Sequence, residues 1–209
     1  MQNKTYYAMY IDECIAEAEL HEFFKRELRD AGYSGCSFRR AFNQVEITIK
    51  VGEPQIVWGE NYERIHQIES VIALRLNLPL NAVSIFTDKI MFRGLSADIL
   101  CDQLSAKLMD QVPIRQAAMS VIKSAMRAKA AGCQVIISGK LRQQRANSQK
   151  YKEGIIVTAG QPGKEFVDRA IRHIKMRQGV IGIQIQVFNP NARNQFGRVL
   201  VMPDYVEVL

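Results

Sequence analysis

VEITIKVGEPQIVWGENYERIHQIESVIALRLNL, Val45 to Leu78, changes its hydrophobic period once, and that change organises the first part of the chain. Val45, Ile47, Ile49 and Val51 alternate with Glu46, Thr48 and Lys50, the two-residue period of a half-buried strand. Beyond Gly52-Glu53-Pro54 the period lengthens, and Ile65, Ile68, Ile72 and Leu76 share one face of a helix. A short helical segment around Ile56-Val57-Trp58 runs into Gly59-Glu60-Asn61-Tyr62, a turn that opens this helix. Upstream, Leu20, Phe23, Phe24 and Leu28 mark a helix over 11–29, with Gly32 as its stop and SGCSFRRAF as a short strand. Downstream, VSIFTD reads as another strand after the Leu-Pro break. The order is helix, strand, strand, short helix, glycine turn, helix, strand.

A second unit is expected from Arg93. SADILCDQLSAKLM predicts one helix, and Pro113 then sits at the first turn of another. Ile114, Ala117, Ala118, Val121, Ile122, Ala125 and Met126 carry its apolar face, and Gly132 is expected to end it. Strand CQVIIS, a basic connection, strand GIIVTA, helix KEFVDRAIRHIKMR and strand VIGIQIQVF complete a domain with antiparallel character. The expected fold class is α+β, with domains over 1–92 and 93–190 and an extension over 191–209 that wraps the surface.

Charge divides the chain at the same place. Residues 1–90 hold 10 basic and 13 acidic side chains, net −3, whereas residues 91–209 hold 18 and 8, net +10. A concentrated positive field points to nucleic acid. No apolar run approaches the ~18 to 20 residues that span a bilayer, and the N-terminus MQNKTYYAMYIDE has no signal-peptide pattern, so no membrane partner is expected. The positive charge is densest in SGKLRQQRANSQKYKEG, residues 138–154, where Lys140, Arg142, Arg145, Lys150 and Lys152 face only Glu153. A long connection of this kind in a compact domain is usually functional. Arg169, Arg172 and Lys175 are expected on the polar side of the predicted helix over 164–177, opposite Phe166, Ala170 and Ile174. Each cation offers a long arm to a phosphate, and arginine can also fork onto it.

Cys14, Cys36, Cys101 and Cys133 are scattered and read as buried free thiols, and His21, His66 and His173 fall in predicted helices. No metal or cofactor is expected. TAGQPGKEF fails as a nucleotide loop, because Thr158 stands where glycine is needed and Glu165 where a magnesium-binding hydroxyl is needed. Gly163 and Lys164 are left as a helix start that could lie near a phosphate. Trp58, Tyr62, Phe23 and Phe24 read as packing residues.

The element order up to Asp88 resembles a K-homology domain of the second type, in which a Gly-x-x-Gly turn holds a nucleic-acid backbone. With HEFFKRELRDAGYSG, GCQVIISGKLRQQRANSQKYKEG and DRAIRHIKMRQGVIGIQIQV, the chain resembles the family of ribosomal protein three of the small subunit, in its eukaryotic or archaeal form. The resemblance covers nearly all of residues 10–190. It implies a cytoplasmic structural protein of the small-subunit head, near the entrance of the messenger channel. Implied partners are small-subunit ribosomal RNA, messenger RNA and neighbouring small-subunit proteins. It further implies a messenger-facing arginine pair, of which Arg115 takes the first place and Gln116 the second, and a basic segment matched by Lys140, Arg142 and Arg145, with Asn147 where lysine is usual.

The first domain departs from the family more. Tyr62 replaces the second glycine and Glu60 adds a negative charge, so the turn is expected to open a helix on a protein-packed surface rather than to clamp RNA. The chain also ends without the polar tail common in eukaryotic relatives. No catalytic constellation is visible, and no enzyme activity is expected. Two other readings stay open: a DNA-repair endonuclease side activity, as ascribed to some members, and a free messenger-binding regulator using the first domain.

Overall fold

The computed structural model describes residues 6–41, 44–141 and 144–191, and the chain divides into two compact units between Met91 and Phe92. The 191–209 extension, apart from Asn191, and Arg142 lie outside the described residues.

In the first unit, helices α1 (Tyr6–Glu27), α2 (Pro54–Trp58) and α3 (Glu63–Leu76) accompany strands β1 (Tyr33–Ala41), β2 (Gln44–Val51) and β3 (Val83–Lys89). The sheet order is β1-β2-β3, with β1 and β2 antiparallel and β2 and β3 parallel. The central strand behaves as its alternation requires. Val45, Ile47, Ile49 and Val51 are buried with Phe24 of α1, Leu28 just beyond its end, and Ile65, Ile68 and Ile72 of α3. Helix α1 begins before the expected Ile11.

The second unit packs α4 (Ala97–Met109) and α5 (Ile114–Arg127) on an antiparallel sheet of β4 (Gly132–Gly139), β5 (Asn147–Gly154), β6 (Val167–Met176) and β7 (Gly179–Phe188). The order across it is β5-β4-β7-β6. Leu100, Leu104, Val121 and Ile122 meet Val135, Ile137, Ile183 and Ile185 in the core, so both helices cover the same sheet face. The α+β class holds for both units.

Three expectations fail here, each for a physical reason. The helix predicted over 164–177 is a single turn, α6 (Pro162–Glu165), followed by strand β6. Ala170 and Ile174 fit a helical period and a strand period equally well, since four residues are one helical turn or two strand repeats. Pairing of β6 along all of β7 decides for the strand. His173 is therefore a strand residue, and Arg172 falls in the row that faces the helices.

The second failure is the strand GIIVTA: the partner of β4 is instead the polar segment Asn147–Gly154. An edge strand with little covered surface needs few apolar residues, so hydropathy hides it. Gly154 ends the hairpin at φ +77°, where an added Cβ would lie 2.3 Å from the Ala131 carbonyl oxygen. Ile156 then leaves the sheet to pack with Phe166, Val167 and Phe188.

The third failure is the end of α5, which stops at Arg127 rather than at Gly132. Lys129 takes φ +64°, and Ala130 N–H donates to the Ala125 carbonyl, closing the helix before Gly132 opens β4. Cys14 is also exposed and Cys36 half-buried, so only Cys101 and Cys133 are fully buried thiols. Burial pushes both of these up to about 12.

Candidate nucleic-acid interface

Strand alternation sorts the cations of the second unit into three groups. On β6, Ala170, Arg172 and Ile174 face the helices, while Arg169, Ile171, His173 and Lys175 face away. Arg172 is only 5% exposed. Its Nε and Nη2 donate to the Asp102 carboxylate at 2.9 and 3.3 Å, and Nη1 lies 3.0 Å from Asp98 Oδ1. Burial opposes its charge, but the Asp102 hydrogen bond and the two carboxylates outweigh that cost and raise its pKa. Arg172 is thus a structural ion pair and leaves the set of expected RNA contacts.

The second group lies on the sheet face that the helices leave open. On β5, Lys150 pairs in register with Ile136 and Lys152 with Gln134, so both point away from the helices and are exposed. Arg169 and Lys175 occupy the same face at the opposite edge and are exposed. Arg169 Nη2 makes a long contact of 3.4 Å to the Gly163 carbonyl.

The third group gathers at one end of the unit. A cleft of about 620 Å³ is lined by Lys140, Lys175 and Arg177, with Leu108, Met109 and Ile114 among its other walls. Among the described residues no carboxylate lines it, and Asp110 ends α4 just outside. Arg115 is exposed and follows Ile114, a lining residue, at the start of α5. Arg145 is exposed in the connection between β4 and β5. Among the described residues, none of Arg115, Lys140, Arg145, Lys150, Lys152 or Lys175 forms a salt bridge. Lys164 is exposed and Gly163 buried, but α6 is one turn long, so the Gly163-Lys164 helix start has no developed dipole.

Carboxylates of this unit are mostly committed elsewhere. Asp98 and Asp102 hold Arg172, and Asp168 Oδ2 accepts the Ala97 N–H at 2.8 Å, capping α4. Glu153 is in register with Cys133, on the helix side, and Glu165 accepts from Gln161.

The turn in the first unit is built differently. Gly59 has φ +69°, and a Cβ there would meet Arg64 Cβ at 2.9 Å, so glycine is required. Asn61 and Tyr62 follow in left-handed conformations, at φ 52° and 64°. The Tyr62 ring leans toward Trp58, with centroids 5.9 Å apart, yet the residue is 57% exposed and is not the packing residue expected. Trp58 is held by its Nε1–H donating to Thr87 Oγ1. Glu60 and Glu63 flank the turn, and Arg64 turns back to the Ile56 and Glu27 carbonyls. No cation is offered to a phosphate there.

Known proteins repeat this two-part construction. The KH domain family matches residues 19–91, and the family described as ribosomal protein S3, C-terminal domain, matches residues 104–187. The chain is 44% identical over 191 residues to small ribosomal subunit protein uS3 of Candida albicans, covering 91% of this chain and 76% of that protein. Identity to uS3 of Schizosaccharomyces pombe is 38%, over 96% of this chain and 80% of the relative. For Saccharomyces cerevisiae uS3 it is 36%, over 92% and 80%. The chain belongs to the uS3 family.

In this uS3-family chain the cations gather at one end of the second unit, and Tyr62 stands at the fourth place of the first unit's turn. Arg177 was missed by sequence reasoning, because a helix ending at 177 gave it no partners. The β6–β7 turn is what carries it to the cleft beside Lys140 and Lys175. The signal that could have found it was the Gln178-Gly179 step between two runs of alternating residues, a hairpin mark.

Proposed function

We propose that this protein is an RNA-binding structural constituent of the small ribosomal subunit, working in the cytoplasm. Its 1–92 part serves as a KH-like framework domain and its 93–190 part as the RNA-gripping domain. One observation carries this reading: cations from separate segments, Lys140, Lys175 and Arg177, converge on a cleft whose walls, among the described residues, hold no carboxylate. Arg115 and Arg145 extend the positive surface, and long cationic side chains without internal partners suit a backbone of phosphates. In the subunit head this end would line the path of incoming messenger, while ribosomal RNA and neighbouring ribosomal proteins hold the rest.

The turn at Gly59–Tyr62 disfavours a free messenger-binding regulator, since it presents Glu60 and Glu63 where a phosphate would approach. We assign no catalytic step to the chain. Sedimentation of the endogenous protein through a sucrose gradient tests the reading. It should travel with small subunits and whole ribosomes, and a protein found only in the light fractions would refute it.

A further inference from the structure

A groove runs between α1 and α3 of the first unit, and its two halves differ in chemistry. In one half Leu20, Phe23, Val71 and Ile72 line a slot of about 210 Å³. An ion pair borders it, with Arg75 Nε and Nη2 donating to the Glu19 carboxylate at 3.0 and 2.7 Å. Phe23 and Val71 also line a wider cleft of about 620 Å³ that continues to the Gly59 turn, so slot and cleft form one channel. Glu27, Glu60 and Glu63 stand along this second half, facing Arg64. Arg64 is committed to the Ile56 and Glu27 carbonyls, at 3.2 and 3.0 Å, and lies 3.9 Å from the Glu27 carboxylate. Among the described residues neither Glu60 nor Glu63 forms an ion pair, and both are exposed. Val71 is 51% exposed and Leu74, beside it on α3, is 79% exposed, so the apolar half is uncovered as well.

We propose that this groove docks a basic amphipathic helix of a neighbouring protein. Leu20 lies beside Ile72 and Glu27 beside Arg64, so α1 and α3 run in opposite directions along the channel. A furrow between two such helices accepts a third at the ordinary axis distance of about 8 to 10 Å. From Ala16 to Glu27 the channel follows α1 for about 17 Å, the length of a three-turn helix. The guest's apolar stripe enters the slot, and its lysines or arginines meet Glu27, Glu60 and Glu63. Charge selects this guest over the alternatives. Three carboxylates beside one committed guanidinium repel phosphate, and an acidic helix would set like charges against Glu60 and Glu63. The turn that clamps a nucleic-acid backbone in a KH domain here supplies negative charge to a protein instead.

This inference deepens the proposed function and rests on its reading of the 1–92 part as a framework held by neighbouring proteins. The full chain is titrated with a helical peptide of about 12 residues, leucines at i, i+3, i+4 and i+7 on one face and lysines on the other. The same peptide with glutamate for lysine, and a single-stranded RNA, are titrated separately. Two groove variants, Glu60→Lys/Glu63→Lys and Val71→Lys, change exposed residues and leave the core intact. Wild type should bind the lysine peptide at least about tenfold more tightly than the glutamate peptide. Each groove variant should weaken the lysine peptide at least about fivefold. Val71→Lys should leave RNA affinity within about twofold, and Arg115→Ala/Lys140→Ala at the second unit's cleft should weaken RNA while leaving the lysine peptide within about twofold.

Equal binding of the two peptides would overturn the proposal, as would lysine-peptide affinity that neither groove variant altered. Val71→Lys weakening RNA but not the peptide would also overturn it and make the groove an RNA surface. If the lysine peptide bound as expected but wild type bound no RNA, the groove would stand and the RNA-binding function would fall.

Discussion

The two units hold their carboxylates in opposite ways. In the first, Glu60 and Glu63 stand at the turn that a KH domain offers to a nucleic-acid backbone, while Arg64 is drawn back onto the Ile56 and Glu27 carbonyls. In the second, Asp98, Asp102 and Asp168 are spent on Arg172 and on the start of α4, while Lys150, Lys152, Arg169 and Lys175 are exposed. A net charge says little about binding until one knows which charges are already neutralised. The +10 of residues 91–209 becomes a usable field in part because Asp98, Asp102, Asp168 and Glu165 are used internally.

The largest effect that would break this contrast comes from the buried cation. Arg172→Ala strands two carboxylates in the interior and should cost about 3 to 5 kcal/mol of stability in denaturant melts. Lys152→Ala, on the exposed edge strand, should cost under about 0.5 kcal/mol. Equal costs would mean that the inward and outward sets are not distinct.

A middle-sized effect concerns RNA. Lys140→Ala with Arg145→Ala should lower the log–log salt slope on single-stranded RNA by up to about 1.4, roughly 0.7 for each phosphate left without its cation. The paired change Glu60→Lys with Tyr62→Gly in the first unit should raise it by about 0.7, by restoring a cation and a close approach to the helix start. If the turn variant gained nothing, Tyr62 and Glu60 would not be what keeps phosphate from that site.

The smallest effects concern thiols. Cys14 should react with a maleimide in the native protein, whereas Cys101 and Cys133 should react only on unfolding. Because burial raises both buried thiols from the ordinary 9.0 to about 12, the unfolded chain loses those protons first. Their contribution is therefore complete below about pH 9 and declines as pH rises toward 12. A melt series from pH 8 to 11 checks the sign: these two groups should lower stability as alkalinity increases.

How much of this could be read from the residues follows from the same contrast. The first unit was legible because Val45-Ile47-Ile49-Val51 and Ile65-Ile68-Ile72 each satisfy one period only. In the second, Ala170 and Ile174 satisfy two periods, and only pairing with β7, a long-range fact, selects the strand. That error carried Arg172 to the wrong face and hid the open one. Lys150 and Lys152 were seen as cations of a loop because an exposed edge strand carries no hydrophobic signature. The cleft residues Lys140 and Lys175 were legible as charges, but their convergence depends on the ends of two hairpins meeting, which no local pattern encodes.

The most direct test is a density map of the small ribosomal subunit that contains this chain. The account predicts RNA phosphates within about 4 Å of Lys140, Lys150, Lys152 and Arg169, and none at the Glu60–Tyr62 turn. Those four side chains ending in solvent or on protein carboxylates, with phosphate at the turn instead, would contradict it.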